Sequence, residues 1–251
     1  MTQHPRVPPA YRLVALAPDA ELNSKARQMA AEGAEDGTLL WRARDDRLDC
    51  AVILHPDDVF ERAMLVTYVA MLGLNDALAI VVPPMTEVTL TWPNRVDANG
   101  ARVARIGVEL PGDAVAGSVP EWLVLLAHAN VAPPPTAGDA KLDLEVTSLV
   151  EEGCQDLTAG ALLEIFARHF LNWVNRWHDD GFDPIRTMWL HHAPGHGEKI
   201  ELELEGERIA GTFGGIGDDG ALLLTGDGAD RPIALLAALS AMERRDGVET
   251  P

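Results

Sequence analysis

Apolar and polar positions along the chain follow two periods, and the change from one to the other marks its elements. In 157–178, Leu162, Phe166, Phe170, Trp173 and Trp177 recur at spacings of three and four, which predicts a helix with one buried stripe. MTEVTLTW, 85–92, sets Val88, Leu90 and Trp92 against Glu87, Thr89 and Thr91, the period-two pattern of a half-buried strand. RVARIGVEL, 102–110, predicts a second strand, pairing with the first across VDANGA, where Asn99-Gly100 is a strong turn signal. TLLWRAR, 38–44, LDCAVILHP, 48–56, and EWLVLLAHANV, 121–131, predict further strands; 48–56 is apolar enough to be central. ELNSKARQMAAEG, 21–33, is rich in helix formers and stops at Gly33. Asp57-Asp58 open a helix that 59–72 continues, and Pro83-Pro84 must end any helix before them. The most apolar run, 63–82, is interrupted by Asn75 and Asp76. It falls short of a membrane span and predicts a buried helix.

After Trp189 the texture changes. LHHAPGHG, 190–197, reads as a linker, and 199–236 predicts three or four short strands broken by glycine-containing turns, a length that suits a small barrel. Two domains follow, 1–189 and 190–251, without an internal repeat. Residues 1–10, with three prolines, read as a loose tail, and 132–140 as a proline-rich surface loop.

Charge changes the picture of partners. Asp and Glu number 39 against 20 Lys and Arg, a formal charge of −19, so nucleic acid and anionic membranes are not expected partners. Cys50 and Cys154 form neither a disulfide framework nor a CxxC motif. With no leader-like apolar region at the N-terminus, the expected location is the cytoplasm.

Within this acidic chain, LTWPNRVDANGARVARIGVEL, 90–110, gathers Arg95, Arg102 and Arg105. The order of Trp92-Pro93-Asn94, the Asn-Gly turn, RVARIGVEL, a strand ending HANV, a long helix, DGFDPIRTMW and GTFGGIGDDGALLL resembles the biotin protein ligases and related lipoate ligases. The resemblance covers about residues 20–236. Its C-terminal part rests on Gly211, Gly215, Ile216, Gly220, Ala221 and Leu222 to Leu224. It implies an α/β (α+β) fold: a ligase-like catalytic domain with a mixed, largely antiparallel sheet, then a small C-terminal SH3-like β-barrel. No helix-turn-helix precedes residue 20, so the DNA-binding arm of some members is not expected. The family joins biotin or lipoate to ATP with Mg²⁺, releases pyrophosphate, and passes the acyl group to a lysine of a biotinyl or lipoyl carrier domain.

The chain departs from that pattern at chemically important places. Where the family has a glycine-arginine loop, the strands 38–44 and 48–56 are joined through WRARDDRLD, without glycine. Trp41 and the basic residues Arg42, Arg44 and Arg47 stand there either as a short charged hairpin or as a reduced anion clamp. By the resemblance, Thr91 takes the place of a lysine, Arg95 of the Asp in WPND, Arg102 of the second lysine and Arg105 of the Gly in AGI. The resemblance makes Arg102 the candidate catalytic residue, binding phosphate or carboxylate bidentately. Asn94 would orient the nucleotide, Trp92 would wall the pocket, and Arg105 would fill space the family leaves open. Arg95 reverses the charge of a metal-binding position, so no metal ligand is expected. The same arginines in surface ion pairs would contribute little.

Other motifs carry less. His191, His192 and His196 lie on the linker without a helical metal register. GGIGDDG, 214–220, is turn chemistry rather than a phosphate loop. Cys154 is more simply a buried thiol than a nucleophile. Two functions remain: ATP-dependent acyl-adenylate formation and transfer, or a degenerate ligase fold that binds a small carboxylic acid or a protein partner without adenylation.

Overall fold

The structure, a computed structural model, describes residues 5–133, 145–204, 206–226 and 230–245. Most of the proline-rich stretch 132–140 and the first four residues of the expected tail lie outside the described residues.

The chain opens with β1 (Arg12–Leu16), α1 (Leu22–Ala31), β2 (Thr38–Arg42) and β3 (Arg47–Leu54). α2 (Phe60–Ala63) and α3 (Val66–Val81) follow, then β4 (Val88–Thr91), β5 (Arg95–Ala98), β6 (Ala101–Glu109) and β7 (Leu123–Asn130). α4 (Ala159–Asp180) and α5 (Phe182–His192) lead to β8 (Lys199–Leu204), β9 (Glu207–Ile216), β10 (Leu222–Thr225), β11 (Asp230–Ile233) and α6 (Leu235–Arg245). One sheet has seven strands in the order β1-β2-β3-β7-β6-β5-β4; only β1 and β2 pair in parallel, so it is mixed and largely antiparallel. The C-terminal β unit is a four-stranded antiparallel sheet in the order β11-β10-β9-β8.

The two faces of the large sheet are covered differently. One carries Leu39, Trp41, Leu48, Cys50, Leu125 and Ala127 into the main core, with α3, α4 and the apolar side of the small sheet. α3 is buried nearly all round because it lies within this core. Together α2 and α3 form a stretch, Phe60–Val81, long and apolar enough by composition to cross a bilayer, yet mostly buried inside the fold. Gly73 lets α4 approach: a Cβ there would stand 3.0 Å from the Phe170 Cα. The opposite face presents Leu40, Ala51, Ile53, Val124 and Leu126 to Leu22, Ala26 and Ala30 of α1.

Two local readings are corrected, and two elements appear that the sequence pattern does not announce. VDANGA does not join the strands 85–92 and 102–110 directly. The chain reverses at Trp92-Pro93-Asn94, β5 pairs with β4, and the Asn-Gly turn then joins β5 to β6. Asn99 and Gly100 have φ of 50° and 84°, the left-handed pair a two-residue hairpin turn requires. β5 escapes a hydropathy reading because Arg95 and Asp97 alternate with buried Val96 and Ala98. β1, which no pattern announces, pairs with β2. His191 and His192 end α5 rather than belonging to a linker, and α6 follows the last strand.

Candidate functional site

Period two and strand register assemble the site. Arg95 is opposite Arg105, Arg105 opposite His128, and His128 opposite Asp49. One step beyond the Trp41–Cys50 pair, Arg42 joins Asp49. These residues share the face on which Leu40, Ala51 and Leu126 pack under α1. The helix covers one end of that face, and the charged row occupies the other.

Asp49 is the hub. It has no solvent exposure, pairs with Arg42, stands 3.0 Å from Arg47 Nε and lies 2.6 Å from His128 Nδ1. The Arg47 contact is an ion pair without hydrogen-bond alignment. Burial pushes the Asp49 pKa up, but His128, Arg47 and Arg42 together outweigh it and hold the carboxyl below the usual range. Burial lowers the pKa of His128, with Arg47 and Arg105 acting the same way and Asp49 opposing them. Burial, then Arg105, Arg42 and Arg44, likewise lower that of Arg47 against the pull of Asp49. Burial and the neighbouring guanidinium groups therefore disfavour further positive charge in the cluster.

Beside this hub lies a pocket of about 230 Å³, lined by Arg47, Arg102, Arg105, His128, Asn130 and Val146 among others. Its far wall is the segment at 145–147, which runs along β6: Arg102 N donates to Glu145 O at 2.8 Å, and Thr147 N to Arg102 O at 3.0 Å. Asn130 Nδ2 donates to Thr147 O at 3.1 Å and fixes the same segment to the end of β7.

The β2–β3 connection is a short hairpin. Asp46 O accepts from Val131 N and Ala132 N at 3.0 and 2.8 Å, pinning the turn to the end of β7. Arg44 holds Asp46 bidentately at 2.9 and 2.6 Å. All three arginines of the expected clamp, Arg42, Arg44 and Arg47, are thus engaged by aspartates close by in sequence.

The structure brings Arg102 and Arg105 into the pocket wall and places the other candidates elsewhere. Arg95 is beside Arg105 but pairs with Asp97 at 2.9 Å. Trp41 lies in the main core, its Nε1 without a partner among the described residues. Trp92 points into the same core and donates from Nε1 to Tyr68 OH at 2.9 Å; Tyr68 OH donates to Gly220 O at 2.6 Å. Asn94 is buried and donates to Ile106 O at 2.6 Å, closing the turn before β5. His128, Asn130 and Asp49 were not expected at the site. The available signals were an aspartate and a histidine inside otherwise apolar strands.

Mg²⁺, which the resemblance implies, does not fit the donors that the described residues of the pocket supply. The pocket lining offers guanidinium, imidazole and amide groups, and Asp49 is committed to its cations. Among the described residues no group of three or more His, Cys, Asp or Glu could hold a metal ion. The volume is also below the roughly 300–1,000 Å³ usual for sites that enclose larger ligands.

The family model described as "Biotin/lipoate A/B protein ligase family" matches residues 7–191. A biotin--[acetyl-CoA-carboxylase] ligase of Paracoccus denitrificans is 31% identical over 176 residues, 70% of this chain and 72% of the relative. The crystal structure of a biotin protein ligase-like protein of unknown function from Silicibacter sp. TM1040 superposes with a TM-score of 0.82 at 31% identity, covering 94% of this chain and 98% of that one. The biotin protein ligase of Aquifex aeolicus, in complex with biotin and ATP, gives a TM-score of 0.71 at 18% identity, over 88% and 95% of the two chains, a likeness of fold.

Proposed function

The chain belongs to the biotin/lipoate A/B protein ligase family, and we propose that within it this protein binds a small anion, a carboxylate or a phosphate, without adenylating it. The observation that carries this reading is the pocket at Arg47, Arg102, Arg105 and His128, whose cations stand where the donor set does not fit Mg²⁺. Arg102 and Arg105 supply charge and directional donors, and Asn130 supplies an amide. The pinned hairpin at 43–46 is too short to fold over an adenylate. We place the protein in the cytoplasm, consistent with two cysteines that are both free and buried.

The second reading is ATP-dependent acyl-adenylate formation and transfer to a carrier lysine, with Arg102 as its catalytic residue. The Paracoccus relative favours it, and a biotinyl carrier of the kind that relative's name implies would be the partner. The two readings separate in one experiment. The protein is incubated with ATP, Mg²⁺ and biotin, lipoate or octanoate, and pyrophosphate and acyl-adenylate are measured. Anion binding is followed in parallel by calorimetry. The binding reading expects no pyrophosphate, anion affinity indifferent to ATP and Mg²⁺, and about tenfold or greater weakening in Arg102→Ala. Turnover with any of the three acids would replace it with the ligase reading.

A further inference from the structure

We propose that Asn99 is a site of spontaneous deamidation, and that its conversion to aspartate or isoaspartate releases the segment 147–152 that runs on from the pocket wall.

Asn99 and Gly100 hold the two central positions of the β5–β6 turn, with φ of 50° and 84°. Both are exposed, and a Cβ built on Gly100 would meet nothing within 4 Å. The residue that supplies the nucleophile thus has neither a side chain nor a packed neighbour to hinder its approach to the Asn99 carboxamide. Asn23, Asn75, Asn94, Asn130, Asn172 and Asn175 all precede residues with side chains. Asn99 Oδ1 also accepts from Glu87 N at 3.1 Å, a bond that draws electron density from Cγ and favours the oxyanion formed on attack.

The reaction needs water alone. Gly100 N loses its proton to a solvent base and forms a bond to Asn99 Cγ. The Cγ–Nδ2 bond breaks, and Nδ2 leaves as ammonia with a proton from solvent. Water then opens the succinimide at either carbonyl, giving aspartate or isoaspartate. Nothing is oxidised or reduced.

The amide that is lost has a partner. Asn99 Nδ2 donates to Glu152 Oε2 at 2.6 Å, and Glu152 Oε1 accepts from Thr147 Oγ1 at 2.8 Å. Glu152 therefore ties the tip of the hairpin to the segment beside β6. The same segment is held by Thr147 N to Arg102 O, Leu149 N to Asn130 O and Val150 N to Val131 O, at 3.0, 2.9 and 2.9 Å. Deamidation exchanges a donor for a second carboxylate, so the 2.6 Å attraction becomes a contact between like charges. Isoaspartate also lengthens the backbone of a two-residue turn, against the pairing of β5 with β6.

The test incubates the full chain in warm, mildly alkaline buffer and follows it by mass spectrometry with peptide mapping. A gain of about 1 Da is expected at Asn99 ahead of every other asparagine. Conversion at Asn99 no faster than at Asn23 or Asn75 would overturn the site. Hydrogen exchange then compares the wild type with Asn99→Asp at neutral pH. The amides of Thr147, Leu149 and Val150 should exchange about tenfold faster in the variant, with those of β3 and β7 unchanged. Glu152→Ala removes the same tie from its other end and should give the same increase, which decides the matter if Asn99→Asp does not fold. Unchanged exchange at 147–150 would overturn the release while leaving the modification in place.

Discussion

At Asp49, a carboxylate without solvent contact meets Arg42, Arg47 and His128, and the balance of these groups sets how the protein responds to acid. His128 has a folded pKa below its ordinary value of 6.5. As the pH falls below that value, the unfolded chain takes up a proton that the folded chain resists, so stability drops. Asp49 has a folded pKa below its ordinary value of 3.8, so its contribution is full above 3.8 and is lost as the pH falls further. Both act in the same direction, in successive windows. Urea denaturation in a buffer that does not bind the protein should show a midpoint that declines from pH 7 to pH 5, and His128→Phe should flatten this part of the curve. A midpoint independent of pH across that range would contradict the neutral, buried imidazole.

At the scale of elements, the hairpin and the α3–α4 contact show how sequence pattern becomes geometry. The β2–β3 hairpin is fixed by backbone bonds from Val131 and Ala132 to Asp46, and its side-chain pairs are secondary because Arg44 and Asp46 are partly exposed. The helix pair depends on the absence of a side chain. Gly73 faces the backbone of Phe170, which cannot move aside as a flexible side chain would. Gly73→Leu is expected to cost about 1–3 kcal/mol through overpacking, more than the gain in helix propensity returns. Thermal or urea unfolding measures this directly; an unchanged or raised stability would show that α4 has room to shift.

Across the whole molecule, the two sheets share one core. Trp92, Tyr68 and Gly220 form a hydrogen-bonded chain from the large sheet through α3 to the small one, and Trp189 packs edge-on against both Tyr68 and Phe213. Tyr68→Phe keeps the rings in place but removes the partner of Trp92 Nε1 and of Gly220 O. The loss should be about 1–3 kcal/mol, with faster amide exchange in β9 and β10 than in β3 and β7. Equal exchange changes in both sheets would mean that the chain is not a specific tie to the C-terminal unit.

The amphipathic helix at 157–178, the apolar helix within 63–82, the strands of the large sheet and the Asn-Gly turn were legible because each writes its burial into a local period. The family was legible too, through Trp92-Pro93-Asn94 and the glycine run before Leu222. β1 and β5 were not: a short strand with charged or part-exposed positions owes its existence to its neighbours. The site was legible only in part. Arg102 and Arg105 stood out by composition, but Asp49 and His128 acquire their meaning from lying opposite each other, 79 residues apart in the chain. Trp41, Trp92 and Asn94 could be assigned to the core or the turn only once the face of each strand was known. Periodicity tells which positions alternate; register across strands decides which side chains meet, and no local sequence contains that.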